Sequence, residues 1–306
     1  MVGGLAAVLP AVTAVAALAL GGAAWEPRAP LPVPRTEVAA APFRGDIAVV
    51  GGYLPDGSSS DDVDLYDPAS DSWSRLPDLP VEVNHASAVS ADGKLYVVGG
   101  YGGPGVRLRN AYVFDGDSWR GLRPLPAERA AAGAATVGRK LYVVGGVGPN
   151  GLARGAFALD LKTGRWASFG GPTPREHLAA TAAGGKVYAV GGRLAGLDTN
   201  LRVFEAYSPT THRWTKLAPV PESRGGTGAA FAKGLVVSVG GEAPGGTIGS
   251  VYGYDVARKR WRPLASLPTP RHGIGVATTA GRVYVIGGGT EPGLTVSGAN
   301  EALTIP

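Results

Sequence analysis

Apolar positions along this chain fall in short runs rather than long stripes. Four of the clearest are Leu95-Tyr96-Val97-Val98, Leu141-Tyr142-Val143-Val144, Val187-Tyr188-Ala189-Val190 and Val283-Tyr284-Val285-Ile286, and each ends in a pair of glycines. Ahead of each run lies a stretch of small residues, such as His85-Ala86-Ser87-Ala88-Val89, then a tight turn such as Asp92-Gly93, Gly138-Arg139 or Gly184-Gly185. After it come a loop of variable length and an aromatic–acid step: Tyr66-Asp67, Phe114-Asp115 or Tyr254-Asp255, with Leu159-Asp160 and Tyr207-Ser208 as variants. A turn then leads to a tryptophan and a segment closing on Leu and Pro. Short β-prone runs bounded by turn residues predict strands. No stretch beyond residue 24 sustains a helical period.

The unit repeats in register. The glycine pairs are Gly51-Gly52, Gly99-Gly100, Gly145-Gly146, Gly191-Gly192, Gly240-Gly241 and Gly287-Gly288, spaced 48, 46, 46, 49 and 47 residues apart. The tryptophans are Trp25, Trp73, Trp119, Trp166, Trp214 and Trp261, and each precedes the next pair by 26 residues, once by 25. A period of this length signals four-stranded blades, and a repeat array of this kind counts as one domain. The run Leu/Val-Tyr-Val-Val-Gly-Gly, followed by Tyr-Asp, Trp and Leu-Pro, resembles the Kelch motif over residues 25–306. The resemblance implies an all-β fold: a six-bladed Kelch β-propeller of four-stranded antiparallel blades around a central channel. A glycine pair suits crowded backbone near the axis, and a tryptophan offers a broad apolar face to a neighbouring blade. No tryptophan follows Gly288, whereas Trp25 to Pro32 parallels Trp73 to Pro80 and Trp261 to Pro268. Residues 25–32 are therefore expected to supply the outermost strand of the last blade, with Ala299 to Ile305 as the strand beside it, so that the N-terminal strand closes the ring and removes open sheet edges. Closed edges let the propeller work as a monomer.

Residues 2–24 are different in kind: Val2 to Ala24 carry no charged side chain and are rich in Ala, Val and Leu. Residues 1–24 read as a signal peptide or an N-terminal membrane anchor, although the basic segment expected at the start of either is missing. Both readings place the propeller of residues 25–306 in an extracytoplasmic location, secreted or held at the outer side of a membrane. The net charge of +5, from 29 basic and 24 acidic residues, is too mild and too dispersed to indicate nucleic acid. With no cysteine there are no disulfides, thiolate metal sites or cysteine nucleophile, and the cysteine-crosslinked tyrosine chemistry of the Kelch-fold copper oxidases is out of reach. Phosphate-cradling, zinc-protease and serine-hydrolase motifs are absent as well. The acidic stretch Asp56 to Asp64 lacks the spacing of a calcium loop and reads as solvated. Neither a metal nor a cofactor is expected.

Alternating strand direction puts the loop after each glycine pair and the segment leading into the next blade on one face. Sixteen residues before each pair stand Arg35, Val83, Arg129, Arg175, Arg224 and Arg271. Arginines ringing a channel mouth would focus their field on an anion and grip a carboxylate in bidentate fashion; the same arginines could instead bond backbone carbonyls between blades. Near them lie Glu37, His85, Glu176, His177 and His272. The variable loops add Tyr53, Tyr101, Arg193 and Glu242, on the rule that loops on a rigid scaffold carry specificity. The expected function is an exported binding module that holds a protein segment or an anionic glycan on this face. The alternatives are a carbohydrate-active enzyme similar to the exported sialic-acid epimerases of Kelch type, with Glu37, Glu176 or a histidine as acid or base, and a membrane-anchored structural surface protein. No motif transfers a catalytic residue.

Overall fold

The computed structural model describes residues 24–305. The segment expected to be a signal or anchor therefore lies outside the described residues, except for Ala24, which begins a strand. No described helix is long and apolar enough to cross a membrane.

Six four-stranded antiparallel sheets stand around one axis. Blade 1 comprises Ala39–Phe43, Asp46–Val50, Val63–Asp67 and Ser72–Arg75; blade 2, Ser87–Ala91, Lys94–Val98, Ala111–Phe114 and Trp119–Gly121. Blade 3 comprises Gly133–Val137, Lys140–Val144, Gly155–Asp160 and Arg165–Gly170; blade 4, Ala179–Ala183, Lys186–Val190, Phe204–Ser208 and Arg213–Lys216. Blade 5 holds Gly228–Ala232, Leu235–Val239, Val251–Asp255 and Arg260–Leu264. Blade 6 holds Gly275–Thr279, Arg282–Ile286 and Asn300–Thr304, and its outer strand is the N-terminal Ala24–Arg28, pairing Trp25 with Leu303. The ring closes as the tryptophan count requires.

The cores lie between blades. Each cluster of buried side chains draws on two neighbours: Val50, Leu79, Val97 and Phe114 between blades 1 and 2, for example, and Val239, Leu267, Val285 and Leu303 between blades 5 and 6. The tryptophans latch these interfaces. Each packs its ring on the interface, and its indole N–H donates to a backbone carbonyl of the preceding blade: Trp73 to Ala29 at 2.9 Å, Trp119 to Pro77 at 2.7 Å, Trp166 to Arg123 at 2.7 Å, Trp214 to Gly170 at 2.8 Å and Trp261 to Ala218 at 2.8 Å. Trp25 completes the circle on Ala265 at 2.8 Å.

The glycine pairs answer to a close approach. In blade 2 the N–H of Gly100 donates to the carbonyl of Arg129 in the next blade at 2.8 Å, and the five other pairs repeat this bond. Gly99 has φ of +66°, and a Cβ there would sit 2.2 Å from the same Arg129 oxygen. A side chain at this position would break the inter-blade bond.

The inner strands leave an axial channel. Toward the face bearing the loops that follow the glycine pairs it narrows to a cavity of about 130 Å³, and on the other side it opens to about 400 Å³ lined by Ala, Thr, Val and Phe231.

Candidate functional site at the channel mouth

Three consecutive residues in each lead-in segment have three destinations. The arginines sixteen before the glycine pairs turn into the blades. Arg35, Arg175, Arg224 and Arg271 have no exposed surface, and Arg129 is nearly as buried. Arg175 Nε donates to Gly191 O at 2.6 Å, its Nη1 to Thr173 O at 2.8 Å and its Nη2 to Ala189 O at 3.2 Å, while Glu205 Oε2 takes Nη1 at 2.7 Å. Arg271 copies this with Gly287, Thr269, Val285 and Glu301. Arg35 pairs with Asp64 and Asp62, and Arg224 with Glu222 and Ser250. Arg129 has no carboxylate; it bonds Gly145 O and Gly155 O and lies 4.4 Å from the Phe157 ring centroid. Burial pushes its pKa down to about 10, which still leaves it cationic at neutral pH. The expected arginine rim is corrected on this point: these five guanidinium groups staple their own blades internally, four of them by donating to the carbonyl of the first glycine of the pair and Arg35 by holding Asp62 and Asp64.

Fifteen before each pair come Thr36, Asn84, Ala130, Glu176, Gly225 and His272. They bridge, in order, to Tyr53, Tyr101, Val147, Arg193, Glu242 and Gly289, the residues just beyond the glycine pairs. These bridges form the outer collar of the mouth and seat every variable-loop candidate from the sequence.

The inner ring is the set fourteen before each pair: Glu37, His85, Ala131, His177, Gly226 and Gly273. All six are left-handed, with φ between +50° and +63°. Their backbones join in a circle of hydrogen bonds: His85 N–H to Glu37 O at 3.0 Å, Ala131 to His85 at 3.1 Å, His177 to Ala131 at 2.9 Å, Gly226 to His177 at 3.0 Å and Gly273 to Gly226 at 3.0 Å, closed by Val38 N–H on Gly273 O at 3.2 Å. Four of the six carry a side chain in a region that costs an L-residue roughly 1–2 kcal/mol, a strain the closed circle holds in place.

Acid–base groups gather on this ring. His85 Nε2 lies 3.2 Å from Glu37 Oε2 and 3.0 Å from His177 Nε2, and Asn84 Oδ1 is 2.5 Å from His85 Nδ1. His177 Nδ1 faces Glu176 Oε1 at 3.3 Å. Arg193 spans two carboxylates, with Nε 3.4 Å from Glu176 and Nη1 2.6 Å from Glu242. His272 Nδ1 sits 3.4 Å from Glu37 and 3.6 Å from Glu242, while its Nε2 meets Glu291 O at 3.0 Å. The rings of Tyr53 and Tyr101 stand edge-on to His85, with centroids 5.7 and 5.4 Å away.

The electrostatics follow from burial set against pairing. Burial is the largest effect on His85 and outweighs the Glu37 carboxylate, taking its pKa down to about 4. Burial works to raise Glu37 as well, but three histidines overcome it and hold the carboxyl well below the usual carboxylate range. His272 moves up despite burial because Glu37 and Glu242 stabilise its charged form. Glu176 moves down: its desolvation is outweighed by His177 and Arg193. Tyr53 and Tyr101 are pushed up by burial and by nearby carboxylates.

The structure thus brings Glu37, His85, Glu176, His177, Arg193, Glu242, His272, Tyr53 and Tyr101 together and sets the five repeated arginines apart. Sequence reasoning missed the regularity of the inner ring, which counting back fourteen from each glycine pair would have exposed. It also missed Ser59, which accepts from the Asn84 amide at 2.7 Å and fixes its orientation, and Asn200, which donates to Glu242 O at 2.6 Å.

The family model for the KLHDC2/KLHL20/DRC7 Kelch-repeats domain matches residues 37–219 and 121–288. The chain is 29% identical over 231 residues to the Kelch-like protein terF of Aspergillus terreus, covering 68% of this chain and 50% of that protein. It is 28% identical over 209 residues to Kelch-like protein 25 of Xenopus tropicalis, covering 65% and 35% respectively, and 40% identical over 76 residues to Kelch-like protein 35 of Mus musculus, covering 25% and 13%. The chain spans half or less of the length of these relatives.

Proposed function

This chain belongs to the Kelch-repeat family, and on that premise we propose that it is a binding module that takes a segment of a protein partner across the loop face at the channel mouth. One observation carries the proposal. Among the described residues the exposed large hydrophobic side chains are Val106, Leu194 and Leu294, at 57%, 47% and 56% exposure. Single exposed apolar residues are ordinary on any protein. These three, however, all project from loops that follow glycine pairs, in blades 2, 4 and 6, on the face where Tyr53 and Tyr101 stand. Apolar knobs around a polar, charged centre match the anatomy of protein recognition, in which a few anchors carry the energy and polar groups fix the register.

The collar and inner ring hold three carboxylates, Glu37, Glu176 and Glu242, and one guanidinium, Arg193, already clasped by two of them. That balance suits a segment bearing a cationic or hydrogen-bond-donating side chain better than an anionic sugar. The uncharged stretch Val2 to Ala24 supports placing this work outside the cytoplasm.

Selection of a displayed peptide library on the purified protein tests the reading. Selected peptides are expected to lose at least tenfold in affinity to the combined Val106→Asp, Leu194→Asp and Leu294→Asp variant, whose melting temperature stays that of the parent. Peptides that bind the variant equally well would move the interface off this face.

A further inference from the structure

The two histidines of the inner ring present the same nitrogen to each other. Asn84 spends its amide N–H on Ser59, so its Oδ1 is the acceptor that faces His85 Nδ1 at 2.5 Å. His85 therefore carries its proton on Nδ1 and turns a lone pair inward from Nε2. Glu176 Oε1 lies 3.3 Å from His177 Nδ1, which is buried and makes no hydrogen bond, and the other ring nitrogen of His177 turns toward His85. The two Nε2 atoms then meet at 3.0 Å, with Glu37 Oε2 3.2 Å from the first. Three atoms able to bind a cation, one carboxylate oxygen and two imidazole nitrogens, thus converge on one point of the inner ring.

We propose that Glu37, His85 and His177 form a binding site for one divalent transition-metal cation of the zinc class. All three donor atoms lie within 4.8 Å of one another. Ligands about 2.0–2.1 Å from a tetrahedral zinc stand about 3.3 Å apart, close to the 3.0 and 3.2 Å that separate His85 Nε2 from His177 and from Glu37. Two imidazoles and one carboxylate suit zinc, iron or nickel rather than calcium or magnesium. His85 is braced through its Nδ1 by Asn84 Oδ1, as metal-bound histidines commonly are. The left-handed backbone of the inner ring fixes all three donors before any ion arrives. The remaining coordination position opens on the cavity of about 130 Å³ that Glu37, His85 and His177 line, with room for water or one donor atom from outside. This site stands apart from the apolar knobs, so either proposal can fail without the other.

The probe is the metal alone. Zn²⁺ titrated calorimetrically into the metal-stripped protein is expected to bind once per chain at micromolar or tighter Kd, and Co²⁺ to give the visible absorption of a tetrahedral site. Combined His85→Ala and His177→Ala should weaken binding at least a hundredfold, and Glu37→Gln, which keeps the shape, at least tenfold. Asn84→Ala, which removes only a brace, should cost about 10–100-fold. His212→Ala, in a turn on the opposite face, should change nothing. Melting temperatures identify any variant that misfolds, in which case Glu37→Gln decides. No binding by the folded parent at millimolar metal would show that the histidines share a proton instead; binding unchanged in the substituted proteins would place the ion elsewhere. Either result overturns the proposal.

Discussion

In each blade the residue sixteen before the glycine pair and the residue fourteen before it sit two steps apart on one segment. The first is arginine in five blades, buried and bonded within its own sheet. The second is Glu, His, Ala, His, Gly and Gly in turn, and every copy faces the axis on the same left-handed backbone. In four blades the arginine satisfies the carbonyl of the first glycine of the pair, so the side chain that meets this repeated demand repeats with it. The inner ring needs only its backbone to repeat, because the circular hydrogen bonds are indifferent to what hangs from each Cα. Chemistry can therefore be written there blade by blade: Glu37, His85 and His177 in blades 1, 2 and 4, and Ala131, Gly226 and Gly273 in blades 3, 5 and 6.

The comparison can be broken most severely through Arg175. Arg175→Met leaves Glu205 charged and buried with only Thr173 to bond it, takes the guanidinium away from three carbonyls, and should cost about 3–5 kcal/mol of unfolding free energy in a denaturant titration. A loss below about 1 kcal/mol would mean that these arginines are not the staples described. Arg129→Met sharpens the point. It abandons two carbonyls but no carboxylate, so the expected loss is about 1–3 kcal/mol, smaller than for Arg175 by the same method. The smallest effect should carry the opposite sign. Ala131→Gly relieves a left-handed residue worth roughly 1–2 kcal/mol of strain and gives part of it back as unfolded-chain entropy, for a net gain of about 0.5 kcal/mol. A thermal melt that falls by several degrees instead would show that the ring depends on its side chains after all.

Much of the fold was legible because it is written in repeats: a fixed Trp-to-Gly offset, a missing final tryptophan and an orphan first one are enough to order the blades and close them. The mouth was legible only in part. Glu37, His85, Glu176, His177 and His272 were recognised as neighbours, but the arginines were drawn into the same group. An extended segment places residues i and i+2 on one side, so Arg35 and Glu37 read as sharing a face. The positive φ at Glu37 breaks that alternation and sends one side chain into the blade and the other onto the axis. Nothing in the identity of Glu or His announces a left-handed conformation; the glycines at positions 226 and 273 were the only local hint. The lone pair that His85 turns inward was beyond sequence reading because it depends on how Ser59 orients Asn84 and how Asn84 in turn sets a tautomer.

Closure of blade 6 by Ala24–Arg28 also sets a timetable. As the chain is made, this strand emerges ahead of the other five blades, and its partner Asn300–Thr304 appears only after all of them. At roughly 5–20 residues per second the wait is on the order of tens of seconds. Throughout it the edge of Ala24–Arg28 is unpaired, and for most of it Trp25 has no Ala265 carbonyl to hold. The earlier blades can stack as they arrive, but the ring stays open until Asn300–Thr304 has been made, so a chain stalled near residue 290 would leave a bare sheet edge for chaperones or a second nascent chain to find.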